Sequence, residues 1–269
     1  MHPTITIAKR AALAAGRVIL RNMDRLERLT VSTKGPNDLV SEVDLQAERE
    51  IIQILRRTYP DHAILAEETG SQEGPDTGQS QWIIDPLDGT TNFLHGLPQY
   101  AVSIAFRHKG RLESGVIYDP VRQEIFTASR GQGAMLNDHR IRVRPLNGLE
   151  GALLGTGFPL RQPHYLDPYL ASFKAVALRC HEIRRAGSAA LDLAWVACGR
   201  LDGFWEIGLN PWDMAAGVLI IQEAGGLVGD FAGGHDFLDT GNLVAGSPKV
   251  FKATLQEIRP HLAAAGLNR

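Results

Sequence analysis

Apolar residues recur at helical spacing over 3–23, where an alanine-rich face alternates with Lys9, Arg10, Arg17 and Arg21, and the pattern predicts an amphipathic first helix. The segment lacks acids and faintly resembles a transit peptide, but no uninterrupted apolar core of a secretion signal is present. Leu45, Ile51, Ile52 and Leu55 continue the helical period after Ser41-Glu42-Val43-Asp44, a capping-box-like start, and Tyr59-Pro60-Asp61 ends that helix. The period then shortens. Ala63-Ile64-Leu65-Ala66 predicts a strand ending on Glu67-Glu68, 69–80 reads as an exposed polar loop, and Gln81-Trp82-Ile83-Ile84 predicts a short buried strand. Residues 101–118 predict two strands turning at Lys109-Gly110, with further strands near 124–129 and 140–144.

From 152 onward strands and helices alternate. Strands at 152–156, 182–185, 203–207, 227–230 and 242–246 are interleaved with helices near 166–179, 188–198, 211–224 and 248–265. This predicts an α/β chain, sheets layered with helices, in two parts: an α+β part over 1–145 and an α/β part over 146–269. The Pro-, Asn- and Gly-containing stretch 145–150 marks the boundary.

Composition narrows the class. At 269 residues, 44% hydrophobic and 22% charged, the chain has the make-up of a soluble globular protein. A net charge of −2 gives no general attraction to nucleic acid or membrane, and no apolar run approaches a membrane span. Cys180 and Cys198 lie far apart outside any Cys-x-x-Cys pattern and read as reduced thiols, which fits the cytoplasm.

The chemistry concentrates in Asp85-Pro86-Leu87-Asp88-Gly89-Thr90-Thr91-Asn92. Two carboxylates sit on a Pro-stiffened turn at a strand end, followed by residues that suit a helix N-terminus. Carboxylates bind hard cations and helix N-termini bind anions, so the segment reads as a device for holding phosphate against metal. Glu67 ends another strand, Asp213 falls in the first turn of a predicted helix within Asn210-Pro211-Trp212-Asp213, and Asp44 sits in the first turn after the capping box. Each acid alone has a plainer explanation: helix-dipole complementation for Asp44 and Asp213, a solvated loop for Glu67-Glu68, turn chemistry for Asp85. Their joint placement at strand ends and helix starts favours a metal site. Oxygen ligands without His or Cys favour Mg²⁺ or Mn²⁺. No nucleotide-binding phosphate loop, His-Glu-x-x-His or Gly-x-Ser-x-Gly is present. Gly131-Gln132-Gly133 and Gly155-Thr156-Gly157 lack the third glycine of a dinucleotide fingerprint and read as tight turns at strand ends.

The long segment Trp82 to Phe93 resembles the first motif of the inositol monophosphatase family, and Pro211-Trp212-Asp213-Met214-Ala215-Ala216-Gly217 with Glu223-Ala224-Gly225-Gly226 resembles the second. Lys34 to Asp44 is similar to the family's N-terminal loop and Glu67-Glu68 to its Glu-Glu element, so the likeness runs almost end to end. Met1-His2-Pro3, the 184–190 stretch and the 241–246 stretch are most similar to the bacterial SuhB-type branch. Thr69 departs from the Ser of many relatives, and Asn210-Pro211 replaces a variable pair.

The resemblance implies an αβαβα sandwich and Mg²⁺-dependent hydrolysis of inositol monophosphate by activated water. It implies Glu67, Asp85, Asp88, Asp213 and the Leu87 carbonyl as ligands of two or three Mg²⁺ ions, with Mn²⁺ as an alternative, and inhibition by Li⁺. Asp44 and Thr90, with Glu67, would activate the water. Gly89, Thr90 and Thr91 would hold the phosphate. Gly187, Ser188, Ala189 and Asp213 would line the substrate pocket, Glu206 would contact a substrate hydroxyl, and Lys34 would lie on a mobile loop. Related phosphatases act on fructose 1,6-bisphosphate, NADP or 3′-phosphonucleotides. A haloacid-dehalogenase-like phosphatase would want Asp-x-Asp, whereas the spacing here is Asp-x-x-Asp. The resemblance further implies a homodimer and contact with RNA polymerase and Nus factors, for which the basic pair Arg184-Arg185 is a candidate surface.

Overall fold

The computed structural model describes residues 3–35, 38–76, 79–263 and 265–267. The first periodic segment is α1 (Pro3–Asn22), whose stripe of Ala8, Ala11, Ala12 and Ala15 is fully buried. Small side chains let this helix lie close on its neighbours, so the basic N-terminal segment is part of the folded body. A 3₁₀ turn (Met23–Arg28) leads to the hairpin β1 (Val31–Gly35) and β2 (Asp38–Ser41), then α2 (Glu42–Thr58). Lys34 therefore falls in a strand rather than a loop; Pro36 and Asn37 lie outside the described residues, as do Met1 and His2.

Next come β3 (Ala63–Ala66), β4 (Gly70–Gln72), β5 (Ser80–Asp88), α3 (Thr90–Leu94), β6 (Ala101–His108), β7 (Arg111–Asp119), β8 (Glu124–Ser129), β9 (Gly133–Leu136) and β10 (His139–Arg140). Two expectations fail here. The polar stretch after Glu68 contains β4, paired antiparallel to β3 at the sheet edge, where half its surface faces water and polar residues suit it. The strand expected at 140–144 is instead the short β9–β10 hairpin ending at Arg140, after which Val143 donates its N–H to the Ala224 carbonyl.

The second half runs β11 (Leu153–Thr156), a 3₁₀ turn (Pro163–Tyr165), α4 (Leu166–Ala177), β12 (Glu182–Arg184), α5 (Ala189–Ala197), β13 (Gly203–Glu206), α6 (Pro211–Glu223), β14 (Leu227–Gly229), α7 (Phe237–Thr240), β15 (Leu243–Gly246) and α8 (Pro248–Ala263). The predicted alternation holds; α7, a single turn, carries no periodic signal.

Among the described residues, an eight-stranded sheet has the order β10-β9-β8-β7-β6-β5-β3-β4 and a five-stranded sheet the order β12-β11-β13-β15-β14. Helices α1 and α2 cover one face of the larger sheet, α5 and α6 lie between the sheets, and α4 and α8 cover the outer face of the smaller one. This is the αβαβα sandwich. Three apolar clusters fill the spaces between the five layers, the middle one reaching from sheet to sheet around α5 and α6. Trp82, Ile84 and Val116 pack with Ile19 and Ile51 in the first. Ile83, Ala105 and Phe126 meet Leu193, Met214 and Leu219 in the middle. Trp205, Tyr169 and Ile258 fill the third. The middle layer draws side chains from both halves of the chain, and the Arg200 guanidinium, beyond α5, grips the Glu124 carboxylate of β8 through two hydrogen bonds. Helix α6 can approach β7 because Gly115 has no side chain: a Cβ there would stand 2.9 Å from the Ala216 carbonyl oxygen.

Candidate active site

Strand β5 carries the acidic motif to the sheet's end. Its pairing with β6 breaks register between Asp85 and Asp88, so Pro86, which has no N–H to give a ladder, sits in the irregularity. The strand thus extends through the acids rather than stopping before them. Asp85 is buried, and its Oδ1 accepts the Leu87 N–H at 2.9 Å. Gly89 turns the chain with φ 99°, a left-handed conformation that favours glycine, and α3 begins at once. That helix is five residues long, so whatever it offers an anion comes from its first amides rather than from a long dipole. Asn92 ties the turn down, donating to the carbonyls of Gln99 (2.8 Å) and Ala186 (2.9 Å).

The other acids arrive from separate elements. Asp88 Oδ2 accepts the Ser188 hydroxyl (2.6 Å) and the Ala190 N–H (2.7 Å), which plants it on the start of α5. Asp213 occupies the first turn of α6 and its Oδ2 accepts the Asn210 N–H at 2.7 Å. Ser103 of β6 donates to the Trp212 carbonyl (3.0 Å), pinning that turn to the larger sheet. The chain after Glu67 is set by Glu48, a buried acid of α2 that accepts the N–H groups of Glu68 (2.9 Å) and Thr69 (3.0 Å).

Asp44 does complete a capping box, its Oδ2 accepting from the Ser41 N–H (2.9 Å) and hydroxyl (2.5 Å). Its other oxygen accepts the Thr90 hydroxyl at 2.7 Å, and that hydroxyl also lies 3.1 Å from the Leu87 carbonyl oxygen. The capping role and a place in the site coexist, one on each oxygen.

These elements enclose a cavity of about 720 Å³. Glu67, Asp85, Leu87, Asp88, Gly89, Thr90, Thr91, Gly187, Ser188, Ala189, Glu206 and Asp213 all line it; Asp44 reaches it only through Thr90. Sequence reasoning missed Asp192 and Arg161, which also line it, and read Arg185 only as half of a surface pair. Both arginines are exposed; Arg184 stands beside Glu182 on the edge strand, and Arg185, just past it, also lines the cavity with its guanidinium 5.8 Å from the Phe158 ring centre. An acid in the middle of the apolar run Ala189-Ala190-Leu191-Asp192-Leu193-Ala194 was the available signal for Asp192.

Burial, then the charges of Glu67, Asp88 and Asp213, push Asp85 well above the usual carboxylate range. Burial lifts Asp88 to about 6 against the opposing hydrogen bonds from Ser188 and Ala190. Asp213 is raised by burial and by Asp88 and Glu67. Asp44 is raised by burial, with the Ser41 and Thr90 hydrogen bonds opposing. Glu206 is pushed to about 8 by burial, with Arg185 opposing. As the side chains lie, no three His, Cys, Asp or Glu among the described residues are gathered into a chelating group. The donor set nevertheless fits a hard divalent cation: it is all oxygen, and a cation would offset the burial and the neighbouring negative charges that lift Asp85, Asp88 and Asp213.

Residues 1–263 match the model of the inositol monophosphatase family. The chain belongs to that family. Among its relatives is the Nus factor SuhB of Pseudomonas aeruginosa, 57% identical over 265 residues that cover 97% of this chain and 98% of that one. The crystal structure of the extragenic suppressor protein SuhB from Bartonella henselae superposes with a TM-score of 0.93 at 43% identity, covering 96% of this chain and 99% of that one. The inositol monophosphatase of Anabaena superposes with a TM-score of 0.84 at 37% identity, covering 97% and 98%. This membership makes the chain a phosphatase of the inositol monophosphatase family, a group generally dependent on metal. No helix among the described residues is long and apolar enough to cross a membrane.

Proposed function

We propose that the chain hydrolyses inositol monophosphate to inositol and phosphate with Mg²⁺. The observation that carries this reading is the Asp44–Thr90–Leu87 hydrogen-bonded chain standing beside the cavity acids. Glu67, Asp85, Asp88, Asp213 and the Leu87 carbonyl are the residues that would hold two or three Mg²⁺ ions. When bound, these ions neutralise the phosphate dianion, lower the pKa of water and stabilise the leaving alkoxide.

The chain's own residues supply the rest. Gly89, Thr90 and Thr91 present the opening turn of α3 to the phosphate. The Thr90 hydroxyl, fixed by Asp44, orients the attacking water on its Oγ1. As that water loses its proton to Thr90 Oγ1, the Thr90 proton passes to Asp44 Oδ1, 2.7 Å away. Burial raises the proton affinity of Asp44, which suits it as the final acceptor. Glu206, across the cavity, receives a hydroxyl of the alcohol. Attack is by water in line with the leaving oxygen, so no phospho-aspartate forms.

Phosphate release should depend on Mg²⁺ and be fastest with inositol 1-phosphate in a panel that includes fructose 1,6-bisphosphate and adenosine 3′,5′-bisphosphate. A trapped phosphoenzyme, or preference for either bisphosphate, overturns it. Thr90→Ala should lower kcat by about 10²–10³-fold, the scale of a lost proton-transfer partner, with KM changed far less. A purely structural role for Thr90 would instead move the melting temperature.

A second reading concerns a partner. The 57%-identical Pseudomonas aeruginosa relative is named a Nus factor, which favours a role in transcription beside hydrolysis. If the two roles are separate, an Asp88→Asn variant should retain RNA polymerase and Nus proteins in a pull-down as well as the wild type does. Loss of capture along with activity would tie the two together, and no capture by either protein would remove the second role.

A further inference from the structure

The phosphatase reading uses Glu206 and leaves another acid of the same cavity without a task. Asp192 lies on α5 one turn beyond Ser188, whose carbonyl accepts its N–H at 3.1 Å. It is only 2% exposed and lines the cavity, and its Oδ1 has no hydrogen-bond partner among the described residues. A buried carboxyl oxygen without a donor costs its full desolvation, and the rest of this helix is apolar.

The glycines flanking Thr156 shape the same wall. A Cβ on Gly157 would stand 2.0 Å from the Glu206 carboxyl carbon; one on Gly155 would press on Leu201 (3.0 Å) and Phe204 (3.1 Å) and touch the Asp192 carboxyl carbon at 3.4 Å, an ordinary contact distance. Gly157, just past the end of β11, thus leaves Glu206 its space. The groups that act on Asp192 are Glu206 and Asp88, which oppose its charge, and Arg185, which favours it. Arg185 acts on Glu206 in the same way. Asp192 and Glu206 thus both line the wall contributed by α5 and β13, apart from the acids just past β3, on β5 and on α6.

We propose that Asp192 is a specificity-determining residue: beside Glu206, it hydrogen-bonds a hydroxyl group of a polyol leaving group. A hydroxyl both donates and accepts, so it can meet a carboxyl group in either protonation state. The proposal rests on the phosphatase reading above and narrows its substrate.

The test uses the full chain with Mg²⁺ and compares wild type, Asp192→Asn and Asp192→Ala. Two esters are used: inositol 1-phosphate, rich in hydroxyls, and p-nitrophenyl phosphate, with none. Asp192→Ala should raise KM for inositol 1-phosphate about tenfold or more, the scale of one hydrogen bond to a charged group, with kcat little changed. Hydrolysis of p-nitrophenyl phosphate should stay within about twofold, so that the ratio of the two kcat/KM values falls about tenfold. Asp192→Asn, which keeps an acceptor and adds a donor, should recover part of the inositol 1-phosphate KM. Equal losses on both esters, unchanged ratios, or failure of both variants to fold would each overturn the assignment, the last by making Asp192 a structural acid. Wild type that releases phosphate from neither ester defeats the phosphatase reading and this inference with it. An active wild type whose ratios do not move in the variants defeats this inference alone.

Discussion

Asp88→Asn should lower turnover by about 10²–10⁴-fold, the range that several kcal/mol of lost transition-state stabilisation gives, while the protein folds normally. The acid sits where three constraints meet. It ends β5, it lines the cavity beside Asp85 and Asp213, and its Oδ2 receives both the Ser188 hydroxyl and the Ala190 N–H. The asparagine carbonyl can accept those same two bonds, so the attachment of β5 to α5 survives. What the substitution removes is a negative charge facing the cavity, and with it a proposed ligand of the divalent cation. The change also takes away a carboxylate that its surroundings already disfavour, since burial lifts Asp88 to about 6. The melting temperature without Mg²⁺ should therefore be equal to or above that of the wild type, and the rise in melting temperature on adding Mg²⁺ should shrink. Near-normal turnover with a normal Mg²⁺ response would remove Asp88 from the site.

Trp205→Ala should cost about 3–5 kcal/mol of stability, the usual loss for emptying a large aromatic site in a core. Trp205 is fully buried in the outermost apolar layer, with Tyr169, Phe231, Val244 and Val250. Its carbonyl accepts the Thr156 hydroxyl at 2.8 Å, joining β13 to β11. In a protein of this size each kcal/mol moves the melting temperature by about 2–4 °C, so a fall of about 6–20 °C is expected in a thermal scan. The next residue is Glu206, so the variant should also weaken substrate binding at temperatures where it remains folded. A shift below a few degrees would mean that the layer closes over the gap.

The two expected losses trace what the sequence could and could not disclose. The helices α1, α2, α4, α5, α6 and α8 were legible because each buries one face or its whole length, which writes a period into the chain. Asp85, Asp88 and Asp213 were legible because turn and cap residues surround them at fixed offsets. The polar edge strand β4 was not, because a strand whose partner lies on one side carries no apolar alternation. Glu48 was hidden for a different reason: its work is to accept two backbone N–H groups from a segment twenty residues away, and local pattern has no record of that. Arg184 and Arg185 are adjacent in sequence and both exposed, yet only Arg185 lines the cavity, a difference that no local pattern records. Thr90 and Asp44, 46 residues apart, meet only because α2 packs beside β5.

The bond from Ser188 to Asp88 has a consequence for synthesis. A ribosome that has delivered the first 150 residues has already made Glu67, Asp85, Asp88 and Thr90, yet the serine that steadies Asp88 and the acid at 213 are still to come. Under the proposed mechanism a nascent or clipped chain would hydrolyse no phosphate ester, and return of activity during refolding would serve as a clock for the moment at which the late-made helices α5 and α6 dock on the early-made sheet.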